Sequence, residues 1–79
     1  MDIDLARTMV RTAFESGRAL SALLPLLKAQ LSPEDYQSCA HDLAEAIDKA
    51  NTALISRATK AHPELVDEID TALTQNGHY

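Results

Sequence analysis

Six side chains in this 79-residue sequence have types and spacings that invite a chemical reading: Cys39, His41, Glu45, Asp48, His62 and His78. His41 and Glu45 are four apart and Asp48 is three further on, so one face of a helix could present all three to a divalent cation. A dinuclear carboxylate bundle needs Glu-x-x-His on two helices with further glutamates on two others, and structural zinc needs paired thiolates or imidazoles. Neither Glu-x-x-His nor Cys-x-x-Cys occurs. The expectation is an exposed His41 paired with Glu45, with no metal and no cofactor. Cys39 and His41 are two apart, which on a helix turns them about 200° away from each other and denies them a nucleophile–base pair. Glu34 with Asp35 and Glu68 with Asp70 suit helix starts or a solvated face, where the helix dipole explains them without acid–base work. Neither glycine belongs to a phosphate-cradling loop. The sequence carries no catalytic signature, and an enzyme is not expected.

Composition narrows the class. Thirteen alanines and eleven leucines against two glycines and three prolines favour helix, since Ala and Leu are strong helix formers and Pro the weakest. With no Trp, one Phe and two Tyr, the core has few aromatic anchors and must rely on close packing of Ala-rich faces. A net charge of −5 argues against general nucleic-acid or anionic-membrane binding, both of which need a concentrated positive surface. A single cysteine rules out an internal disulfide and fits a reducing compartment. The acidic Met1-Asp2-Ile3-Asp4 start does not read as a secretory signal, and the uncharged run between Arg18 and Lys28 is far short of the ~20 residues a membrane span requires. A cytoplasmic, acidic protein is expected.

The elements that would position these side chains are helical. Ile3, Ala6, Val10, Ala13, Gly17, Leu20, Leu24, Leu27 and Leu31 recur at alternating steps of three and four, one stripe on a helix over residues 2–30. Pro25 removes the hydrogen bond owed to the Ser21 carbonyl and predicts a kink or break near 25. Ala13 and Gly17 leave a flat spot for close helix approach. Ser32-Pro33-Glu34-Asp35 reads as a cap, a first-turn proline and acidic first-turn residues, opening a second helix over about 33–60. Its seam steps through Tyr36, Ala40, Leu43, Ile47, Ala50 and Leu54 and reaches either Arg57 or Ala58. His62-Pro63 breaks that helix and starts a third over about 63–75, ended by Asn76-Gly77, with His78 and Tyr79 expected to fray. Arg7 is spaced to pair with Asp4, and Glu15 with Arg11 and Arg18.

The fold expected for residues 1–79 is one all-α domain: an antiparallel hairpin of two long helices, the first kinked at Pro25, plus a short third helix. Two helices of about 25 to 29 residues run about 40 Å, and the third covers less than half of that. Either Leu5, Met9, Val10 and Phe14 or the Leu-rich end near Leu23 to Leu27 is then left bare in a monomer. Completion as a dimeric helical bundle, a homodimer with a four-helix core, follows, with Val10, Phe14, Gly17, Leu20, Leu24, Ile47 and Leu54 as candidate interface residues. Glu64, Asp67, Glu68 and Asp70 form a candidate acidic contact face for another protein. The function expected is a small non-enzymatic protein–protein interaction module. The alternative is an acidic adaptor or inhibitor of the kind phages and bacterial regulatory systems use, and behind it a metal- or ligand-binding helical bundle.

Overall fold

Asp2 opens the first helix: its extended backbone places the carboxylate to accept from the Leu5 N–H at 2.8 Å. The computed structural model describes residues 1–79 and is all-helical, with no strand. Its elements are α1 (Ile3–Ser21), α2 (Leu24–Gln30), α3 (Pro33–Asn51), a π-helical turn (Thr52–Ser56), α4 (Arg57–Ala61) and α5 (Leu65–Asn76). No helix is long and apolar enough to cross a membrane.

The break in the first stripe falls at Ala22 and Leu23, ahead of Pro25. There the Leu23 N–H turns to the Leu20 carbonyl at 3.2 Å, and Pro25 takes a first-turn place in α2, where its missing N–H costs nothing. Ser32 caps α3 by accepting the Asp35 N–H at 3.2 Å, with Pro33, Glu34 and Asp35 in the first turn. The seam of the second rod then meets a device that heptad spacing does not reveal. Residues 52–56 wind as π-helix, adding a residue to the turn, so Ala58 is fully buried against α1 and Arg57 is exposed. Thr59 Oγ1 donates to the Ile55 carbonyl at 2.9 Å, just after the widened turn. His62 leaves helical geometry at φ −134° and the chain re-enters a helix through the Leu65 N–H to His62 carbonyl bond of 3.0 Å. Gly77, at φ +75°, stops α5 in the left-handed region, donating its N–H to the Leu73 carbonyl.

α1 lies along α3, the π turn and α4, while α2 packs on α3 and α5 on α4. The core is a single cluster of Ala6, Val10, Ala58, Leu65 and Ile69, flanked by Ile3, Met9, Phe14, Ile55 and Tyr79. Ala13 is the sixth buried residue, and from Phe14 to Arg57 no residue is buried. The outline follows from this one-sided core. The radius of gyration is 14.9 Å, against about 12 Å for a compact domain of this length.

Candidate protein interaction site

The open half consists of the last two turns of α1, α2 and α3. Leu23, Leu26 and Leu31 are 45%, 63% and 36% exposed, and Leu20, Leu24, Leu27, Leu43, Ile47 and Leu54 are half-buried. A helix with a neighbour on only one side cannot cover a stripe as wide as this one. Of the two faces that could have been left bare, the Leu-rich end is the one exposed. At the other face Val10 is buried and Met9 and Phe14 are half-buried, although Leu5 remains 50% exposed. Between α1 and α3 a shallow depression is lined by Ala13, Phe14, Gly17, Arg18, Ser21, Ile47 and Asn51. At the α2–α3 turn a second is lined by Lys28, Leu31, Pro33, Tyr36 and Gln37.

The seven candidate interface residues therefore divide. Phe14, Gly17 and Ile47 line the first depression, and Leu20, Leu24 and Leu54 are half-buried nearby in sequence. Val10, expected at the interface, has no exposed surface and belongs to this chain's own core, beneath α5. Gly17 is not needed for close approach, since a Cβ there would lie 3.7 Å from Ile47 Cγ2, an ordinary contact. Leu31, which ends the first stripe, is exposed and the half-buried Tyr36, which opens the second seam, lines the second depression with it; their signal is an apolar residue on each side of the Ser32-Pro33 cap.

The acidic face of α5 is partly spent on internal contacts. Arg7 donates from Nε to both Glu68 oxygens at 3.1 Å and from a terminal nitrogen at 2.8 Å, while Asp4 holds it only at 3.5 Å. Tyr79 Oη also donates to Glu68. Arg7 first, and then Tyr79, holds the Glu68 carboxyl below its usual range. Burial, and then the bond to Glu68, pushes the Tyr79 hydroxyl up. Tyr79 does not fray: its ring meets Phe14 edge to face at a centroid separation of 6.4 Å, with the Arg11 guanidinium 5.0 Å from its centre. Glu15 pairs with neither Arg11 nor Arg18. Glu64 lies 3.1 Å from His62 Nδ1, and its carboxyl is lowered by a bond to its own backbone N–H and then by His62. Asp67 and Asp70 remain exposed. Nothing in the sequence pattern placed Arg7 opposite Glu68, because the two are sixty-one residues apart.

The residues first considered for chemistry do not converge. His41 pairs with Glu45 at 3.0 Å, both largely exposed, and no three His, Cys, Asp or Glu side chains are grouped to hold a metal ion. Cys39 is a free, half-buried thiol. His62 Nε2 lies 2.9 Å from the Met1 carbonyl and so ties the start of α1 to the α4–α5 turn. His78 is exposed. Comparison with protein-family models, curated proteins and solved structures returns no match, so the case for this surface is made by its own residues.

Proposed function

We propose that this protein is a small non-enzymatic interaction module that self-associates as a homodimer through its open, leucine-rich half. One observation carries the reading: eight of the eleven leucines lie between Phe14 and Arg57, where no side chain is buried. Area supports the same occupant. The chain exposes 5535 Å², against about 4700 Å² for a monomer of 8.6 kDa, and the excess matches the roughly 800 Å² that each partner buries in a standard interface. Two hairpins of α1 and α3, brought together about a two-fold axis, supply the four helices a bundle core needs. Leu23, Leu26 and Leu31 then exchange water for the second copy.

Light scattering coupled to gel filtration tests this over a wide dilution range. The expected mass is twice that of the chain and insensitive to salt, and Leu23→Asp with Leu26→Asp should give a monomer of unchanged helicity. A wild type that stays monomeric at every concentration sinks the homodimer.

A second reading, an acidic adaptor for another protein, retains one observation. Val66 and Leu73 are 54% and 43% exposed and share a helical stripe with Asp70 on α5. It is weakened by Glu68, which is already committed to Arg7 and Tyr79.

A further inference from the structure

Phe14 belongs to two environments at once. It lines the depression between α1 and α3 with Ala13, Gly17 and Ile47, and its ring also meets that of Tyr79 edge to face. The segment that delivers Tyr79 has little else to hold it. Gly77 sits in open space with φ +75°, His78 is exposed, and the anchoring contacts all belong to the Tyr79 side chain: ring on Phe14, ring under Arg11, hydroxyl on Glu68. A glycine hinge followed by one aromatic plug is an arrangement that can open without unfolding the helices, because no helical hydrogen bond beyond the Gly77 cap depends on it.

We propose that Tyr79 is a detachable plug that competes with a second copy of the chain for Phe14, so its release extends the self-association surface along α1 from the leucine-rich end. This deepens the homodimer reading and rests on it. With the plug seated, only part of the half-buried Phe14 is available to a partner. With the plug out, the part of the ring that Tyr79 covers joins the part already lining the depression with Gly17 and Ile47, and the whole of Phe14 is offered as an aromatic anchor of the kind that dominates interface energies. Glu68 keeps its bidentate hold on Arg7 in either state, so α5 stays docked while the plug moves.

Sedimentation equilibrium of the full chain and of Tyr79→Ala decides the matter, with Tyr79→Phe as an intermediate case that keeps the ring and loses the bond to Glu68. Tyr79→Ala should dimerise about tenfold more tightly than wild type with the same helicity. A folded Tyr79→Ala with unchanged or weaker association overturns the plug, while a dimeric wild type in the same run leaves the homodimer standing. If wild type is monomeric throughout, the homodimer reading fails; a dimeric Tyr79→Ala would then still uphold the plug, and a monomeric one would overturn it. Should Tyr79→Ala not fold, the ring-shifted Arg11 side-chain protons of wild type give a second readout. They should move toward ordinary values as concentration drives dimerisation, and shifts that stay fixed across that transition overturn the proposal.

Discussion

The two ends of this molecule are built from the same long rods and differ by one layer. Where α5 lies over α1 and α4, three helices close on Ala6, Val10, Ala58, Leu65 and Ile69. Where α1 and α3 have only the seven-residue α2 beside them, nothing is buried, although this end holds most of the leucine. Burial here follows the number of helices that meet, and side-chain apolarity does not decide it. The alanines illustrate this: Ala6 and Ala58 are fully buried because helix axes converge on them, while Leu26 is 63% exposed because no axis does.

The comparison breaks most visibly in the core. Leu65→Ala removes a fully buried side chain and should cost about 2–5 kcal/mol, enough to leave so small a domain largely unfolded. Leu43→Ala, in the half-buried seam of the open end, should cost about 1 kcal/mol or less in the monomer. Urea denaturation at low protein concentration reads both, and equal losses would mean that the open end is not open. A smaller effect of opposite sign is expected at Gly17. Its Cβ space is ordinary and its backbone helical, so Gly17→Ala should stabilise by about 0.5–1 kcal/mol in thermal unfolding, whereas a loss would mean that α1 and α3 approach more closely.

The subtlest separation of the two ends is by acid. Because Arg7 and Tyr79 hold Glu68 below the usual carboxylate range, this contact adds stability above the unfolded glutamate's titration and loses it as pH falls through Glu68's own. Denaturation from about pH 6 to about pH 3 should show a loss that Glu68→Gln reduces. Glu45→Gln, at the exposed pair with His41 on α3, serves as the control for the open end.

Much of this architecture is written in local signals. The Ser32 cap, the glycine stop at Gly77 and the helical period each depend on residues within a turn or two of one another, and all three are present in the structure. What the pattern could not supply is partnership at a distance. A stripe through Val10 and Leu20 reads the same whether α5 covers it or water does, so spacing alone points Val10 to an interface although it is core. Glu68 read as part of a free acidic face because Arg7 lies far away in sequence. Tyr79 read as a frayed end because a three-residue segment carries no period. The stripe also came to an ambiguous end at Arg57 or Ala58, and that indecision marks the place where the helix changes its winding.

The π turn lets this rod carry one residue more than a uniform α-helix would over the same length. Within an ordinary helix one residue more or fewer rotates everything beyond it by about 100°, and at Thr52–Ser56 that rotation is already built in to set Ala58 against α1. Removing one residue there would let the rod relax to uniform α-helix with Ala58 still facing α1, whereas winding the full-length turn as α-helix would bring the bulky Arg57 round toward the place Ala58 now fills. Losing one residue within this turn should therefore be tolerated better than gaining one, because a further residue would add about 100° of rotation that nothing there absorbs.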